Sequence, residues 1–418
     1  METKNHKKNE AVIRKYKKLN IFLILTALIL FSSCVNSCSD AEPVNKDNDG
    51  DIIYHPGEGK PQVDYTKYTV FNAGDADVNS YRIPSILTTN DGSVLVFAEA
   101  RKESWVDKSR TDIVLKRSVD KGKKWSSMKY LTKGKSGAYM DPTPILDKES
   151  GKVFLFTTFW PTHDHSTKSN RLFLVTSEDN GANWSEPKDV TDQLIPSGYH
   201  INGFGPSTGV QMTGGKYKGR MILPARIMNT TTNRVRNYAL YSDDGGENWI
   251  MGEEGDTGGE IQIAEAPSGT LVSNVRASGA RRVAFSDDGG KSWSSSEVDG
   301  ALSAPSGGCQ GSVLGTDNTL YYSGPQGIPS TQYYDDRGKL ILYRSLNGGK
   351  TWKDKIELYD KAAGYSGLTF INDELLGIIF ETADTQSFTK QSISGSKPPK
   401  RPAGWMRLDI IILPIDEI

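Results

Sequence analysis

An eight-residue frame, Ser-x-Asp-x-Gly-x-x-Trp, recurs along the chain and constrains its fold more than any other feature. It stands at Ser118–Trp125, Ser177–Trp184, Ser242–Trp249 and Ser286–Trp293, and at Ser345–Trp352 with Asn347 in the Asp place. Successive starts are 59, 65, 44 and 59 residues apart. The Asp side chain can bond backbone N–H groups of its own turn, and the Gly permits a positive φ there. The Trp is a large apolar plug able to pack between neighbouring sheets. A β-turn unit repeated at this period points to a propeller of sheets, with the frames as structural punctuation and no chemistry of their own.

Apolar runs fill the intervals in sets. The first set reads Arg82–Leu87, Val94–Ala98 and Ile113–Arg117, then a frame; four further sets follow the same order. A sixth, Ser366–Ile371, Leu375–Phe380 and Leu408–Leu413, lacks the frame. Strand, tight turn, strand, loop, strand, frame, strand makes four antiparallel strands per set. The chain is therefore expected to be all-β, a six-bladed β-propeller of four-stranded antiparallel blades, with the run Tyr68–Phe71 joining the last blade to close the ring.

The ends of the chain read differently. Met1–Asn20 is basic, and Ile21–Phe31 is an apolar run of 11 residues, too short for a membrane span and suited to a signal peptide. Ser32-Ser33-Cys34 follows, as in a bacterial lipoprotein cleavage box. Residues 1–33 are expected to be removed, Cys34 to carry a lipid that tethers without spanning, and 34–62 to form a flexible stalk before the propeller at 63–418. The protein would then be exported and held on a bacterial membrane. Without residues 1–33 the chain keeps 43 basic and 49 acidic residues, a net −6, and has no basic tract for nucleic acid. Cys309 is the one cysteine of the body. The five His are scattered, His163-Asp164-His165 reads as a solvated loop, and no metal or cofactor is expected.

Antiparallel strands send the frame turns to one end of every blade. The starts of the blades and the loops after their second strands lie at the other. Eight polar residues fall on that second end: Arg82, Asp107, Asp141, Glu260, Arg276, Arg337, Tyr365 and Glu381. Three arginines converging there suit a small carboxylate, because the guanidinium fork pairs it bidentately and stays charged. Glu381 can hold one of them. Tyr365 with Glu260 suggests a base-activated phenol nucleophile, and Asp107 a general acid. Asp112 and Glu265 are rival carboxylates more suited to structural roles.

Tyr81-Arg82-Ile83-Pro84 beside five such frames resembles the sialidases (neuraminidases), especially bacterial exo-sialidases. So do Glu260–Glu265 running to Asn274-Val275-Arg276, and Arg337 eight residues before a frame. Ala363–Leu368 followed by Phe380-Glu381, and Cys309–Ser312, also match. The resemblance covers about residues 68 to 414. It implies a six-bladed propeller that releases terminal α-linked sialic acid from glycans with retention, without a cofactor. A neutral phenol at the anomeric carbon avoids the repulsion that the sugar's carboxylate would exert on an anionic nucleophile. The same resemblance gives Tyr365, Glu260 and Asp107 the catalytic roles, Arg82, Arg276 and Arg337 the carboxylate, and Asp141 the acetamido N–H. The Asp107 loop departs from the family in lacking glycines, and Gln386–Ala403 is an insertion. An intramolecular trans-sialidase remains an alternative, depending on how Trp105 or Tyr333 crowds the leaving group. A non-catalytic sialoglycan-binding propeller is another.

Overall fold

Each frame closes on itself in the same way. In Ser118–Trp125, Ser118 Oγ donates to Asp120 Oδ1 at 2.7 Å and accepts the Gly122 N–H at 2.9 Å, while Asp120 Oδ1 accepts the Lys124 N–H at 2.8 Å. The frames at Ser177, Ser242 and Ser286 repeat this pattern. Asn347 reproduces it with its amide oxygen. The glycine takes positive φ in every frame and lies against the preceding set of strands. A Cβ on Gly181 would stand 2.6 Å from Leu95, and one on Gly246 would stand 2.9 Å from Phe154. The Trp completes the contact: Trp184 meets Phe97 edge-on at 5.7 Å, and Trp249 meets Phe156 at 5.4 Å.

The computed structural model describes residues 53–54, 63–134, 136–161, 168–206, 208–316, 318–329, 336–388 and 406–418. The expected signal segment with Cys34, His163–His165, Tyr333 and residues 389–403 of the insertion lie outside them. The described chain is all-β; its one α-helix is the single turn Thr191–Leu194. Apolar clusters fill the gaps between successive sets. Leu95, Phe97 and Leu115 pack with Leu146 and Leu155 between the first and second, and Ile86 and Val96 pack with Ile379 and Ile410 between the first and last. Burying each such side chain is worth about 1.5–3 kcal/mol.

The fourth set is a plain four-stranded sheet: Ile261–Glu265, Leu271–Arg276, Arg281–Ser286 and Glu297–Asp299. The others depart from the expected pattern in three ways. The third set gains the strand Tyr199–Phe204, which pairs antiparallel with Met221–Asn229. Its Asn202 and Gly203 are turn residues, so the sequence gives no strand signal there. The first and second sets join into one eight-stranded sheet through a single parallel pair, Thr111 with Ala138. The fifth and sixth are joined because Lys353–Phe370 runs unbroken for 18 residues, pairing first with Gly338–Ser345 and then with Leu375–Thr382.

Tyr65–Asn72 pairs antiparallel with Arg407–Pro414, setting Tyr68 opposite Ile410. The N-terminal strand thus lies beside the C-terminal one. The first strands of the sets also make a closed circuit by packing. Ser80–Thr88, Ala138–Leu146, Val210–Gln211, Ile261–Glu265, Ser312–Gly315 and Lys353–Phe370 each touch the next, and the last touches the first.

Candidate active site

The inner strands are irregular where they reach the end opposite the frames. Ser80–Thr88 shifts register between Arg82 and Ser85, Ala138–Leu146 between Met140 and Thr143, and Lys353–Phe370 between Ala363 and Ser366. Ile83 and Asp141 take positive φ, 52° and 56°. A β-branched residue there is a steric outlier, and bulges of this kind re-aim side chains. The Ile83 N–H donates to Glu381 Oε1 at 3.0 Å, which holds the unusual backbone in place. Tyr199–Phe204 also shifts register, between Ile201 and Gly203.

These irregular ends surround a cleft of about 190 Å³. Seven of the eight polar residues expected on this face line it: Arg82, Asp107, Asp141, Glu260, Arg276, Arg337 and Tyr365. The eighth, Glu381, lies fully buried behind them. It accepts from Arg82 Nε at 3.0 Å and Nη2 at 3.1 Å, a bidentate pair, and from the Tyr365 N–H at 3.2 Å. One carboxylate thereby fixes an arginine and the backbone of the tyrosine.

The Tyr365 hydroxyl donates a hydrogen bond to Glu260 Oε1. Arg276 Nη1 bridges the pair, 2.8 Å from Glu260 Oε2 and 3.0 Å from the Tyr365 oxygen. Arg82 and Arg337 stand 5.7 Å and 5.4 Å from the centre of the Tyr365 ring. Backbone carbonyls of one loop complete the arginines: Gly307 O accepts from Arg276 at 3.3 Å and Gly308 O from Arg337 at 3.5 Å. Burial and the Glu260 charge push the Tyr365 phenol well above its ordinary range, against the pull of Arg276 and Arg337. Burial would also raise Glu260, but Arg276, Arg226 and the Tyr365 hydroxyl hold it below the usual carboxylate range. At neutral pH the pair is a neutral phenol facing an ionised carboxylate, the resting state of a base-activated nucleophile.

Asp107 lies on the loop after Val94–Arg101, with its side chain 55% exposed and 2.7 Å from Arg101 Nη1. Its partial burial opposes ionisation, but Arg101, Arg82 and Arg337 lower its pKa to about 2. Asp141 behaves oppositely. Burial, with Glu99, Glu260 and Asp107 nearby, raises it to about 7 despite the Arg226 guanidinium at 2.9 Å. Asp112 sits apart, accepting the Gly134 N–H and pairing with Lys102, and Glu265 caps Thr213 and Gly214. Neither lines the cleft.

The sequence reading missed Glu99, Arg101, Arg226 and Asn202, of which the last three line the cleft. A signal was present. Arg101 ends the second strand of its set, and Arg226 lies in the cleft half of its own, the places occupied by Arg276 and Glu381 in theirs. Trp105 packs against Ala362, Ala383, Phe388 and Met406 and does not line the cleft.

Residues 92–378 match the family described as a BNR repeat-like domain. A sialidase of Bacteroides fragilis is 31% identical over 352 residues, 75% of this chain and 62% of that protein. The chain therefore spans less than two thirds of that relative's length. Mouse sialidase-3 is 31% identical over 301 residues, 63% of this chain and 70% of that protein. Among solved structures, Hadza microbial sialidase Hz136 superposes with a TM-score of 0.69 at 25% identity, covering 84% of this chain and 69% of that one.

Proposed function

The chain belongs to the sialidase family, and on that premise we propose that it is an exo-α-sialidase that releases terminal sialic acid from glycans with retention. The observation that carries this is the Tyr365–Glu260 hydrogen bond bridged by Arg276 in a cleft with two further arginines. We also propose that the sheets form a six-bladed propeller. The closed circuit of inner strands supports it, as does the contact of the first frame, at Gly122, with Ile412 of the last set.

In this reading Arg82, Arg276 and Arg337 bind the sugar's carboxylate, Glu381 orients Arg82, and Asp141 accepts from the acetamido N–H. The Tyr365 oxygen bonds to the anomeric carbon as the bond to the glycan oxygen breaks. Glu260 takes the phenolic proton, and Asp107 gives a proton to the departing oxygen. Water then attacks the anomeric carbon, Asp107 takes its proton, and Glu260 returns one to the leaving Tyr365. Two displacements at one carbon give retention. Asp107 is ionised in the free protein, so it must gain its proton in the complex. A bound carboxylate offsets the positive charge of Arg82 and Arg337 that lowers the pKa of Asp107, and so favours that uptake.

A proton NMR time course with sialyllactose tests the reading. α-Sialic acid that appears first and then mutarotates is the expected result. An anhydro-sugar would make the enzyme an intramolecular trans-sialidase; line broadening without product would make it a binding protein. The membrane tether belongs to the same proposal and rests on the sequence alone. Cys34→Ser should move the protein to the soluble fraction with its activity intact, and retention on the membrane would contradict it.

A further inference from the structure

The strand Val94–Arg101 carries an anomaly that the proposed mechanism leaves unused. Leu95 and Phe97 face the apolar gap between the first and second sets. The same alternation continues into Glu99 and Arg101, and both are fully buried. A buried ion pair is seldom more stabilising than apolar side chains of the same size, so stability does not explain this one.

Its connections point elsewhere. Glu99 Oε2 accepts from Arg101 Nε at 2.9 Å and Nη2 at 2.7 Å, which fixes the guanidinium plane. The remaining nitrogen of Arg101 then meets Asp107 Oδ1 at 2.7 Å and the Trp105 carbonyl, both on the exposed loop. The other oxygen, Glu99 Oε1, accepts the Asp141 N–H at 3.0 Å, at the residue whose backbone takes positive φ. The Asp107 loop has no glycine and no regular structure over Ser104–Ser109, so this link anchors the part of it that carries the acid.

We propose that Glu99 is a positioning residue: one buried carboxylate places Asp107 through Arg101 and Asp141 through its backbone N–H. The proposal rests on the assignment of Asp107 as the acid. If Glu99 acts this way, its loss weakens proton delivery to the leaving oxygen more than it weakens the rest of the site. A 4-nitrophenyl sialoside departs as a stabilised phenolate and needs little protonation; sialyllactose departs as an alkoxide and needs it fully.

Glu99→Gln keeps an acceptor for Asp141 and removes the charge that holds Arg101. In the full chain it should lower kcat/KM on sialyllactose by about 10²-fold and on the nitrophenyl sialoside by less than about 5-fold, with an unchanged circular dichroism spectrum. Glu99→Asp, which restores the charge, should recover part of the sialyllactose rate, and it takes the place of Glu99→Gln if that variant does not fold. Equal losses on both substrates, or none on either, overturn the positioning role alone. A wild-type protein inactive on both substrates overturns the reading of the site and this proposal with it.

Discussion

At Tyr365 the electrostatics and the geometry argue for the same role. The phenol is pushed up by burial and by Glu260, so it does not ionise unaided near neutral pH. Glu260 is held ionised at hydrogen-bond distance to receive the proton. Tyr365→Phe and Glu260→Gln should each lower kcat on sialyllactose on the order of 10³-fold. Steady-state kinetics on folded protein checks this, and a loss under tenfold would remove them from the chemistry. Asp107→Ala should be nearly as damaging on sialyllactose but partly rescued on a nitrophenyl sialoside. Asp107 also makes a prediction about stability. Its folded pKa lies near 2, below the ordinary 3.8, so the folded state binds its proton more weakly than the unfolded chain. That stabilisation is present above about pH 4 and fades as pH falls towards 2. Urea unfolding over this window should show wild type losing more stability than Asp107→Asn; parallel losses would count against the Arg101 pairing. The residue types and spacing made Tyr365, Glu260 and the three arginines legible in the sequence. Strand position marked Arg101 and Arg226, but Glu99 was not legible, because a charged side chain within an apolar alternation looks like an ordinary strand residue until its partners are placed.

Among the elements, the bulges and the frames divide the work between the two ends of the sheets. Gly364 lies in the irregular part of Lys353–Phe370, where a Cβ would come within 2.4 Å of Glu381 Oε2. Gly364→Ala should displace that carboxylate from Arg82 and lower kcat/KM by about 10-fold, equivalent to about 1.4 kcal/mol. An unchanged kcat/KM would mean that Glu381 does not set the Arg82 geometry. Gly181, in a frame at the other end, has φ 81° and lies against Leu95. Gly181→Ala should cost about 1–3 kcal/mol of stability, seen in thermal melts, and leave turnover per folded molecule unchanged. The frames were the most legible elements because Ser, Asp and Gly act within one turn and need no distant partner. Tyr199–Phe204 was illegible for the opposite reason: only its pairing with Met221–Asn229 makes it a strand. The joining of the last sets through Lys353–Phe370 was also hidden, since nothing in a run of strand-forming residues marks where pairing passes from one neighbour to another.

For the whole molecule, the pairing of Tyr65–Asn72 with Arg407–Pro414 brings the two ends of the described chain together. Removing residues up to Asn72 would uncover an edge whose sequence is Leu408-Asp409-Ile410-Ile411-Ile412-Leu413. Exposed apolar edges template aggregation. Such a truncation should lower the melting temperature and drive association in light scattering, whereas a monomer with wild-type stability would show that the pairing does not stabilise the fold. The apolar run Tyr68–Phe71 made this pairing legible in outline, and the strand contacts supply its register. The central claim, that Tyr365 attacks the sugar, is tested most directly by trapping. In 2,3-difluorosialic acid the fluorine at C2 departs readily, while the one at C3 destabilises the positively charged transition state and slows the second displacement. Peptide mass spectrometry after incubation should find one sugar adduct, on the peptide containing Tyr365, and none on Tyr365→Phe. An adduct on Glu260 or Asp107 instead, or unhindered turnover with no adduct at all, would contradict the account.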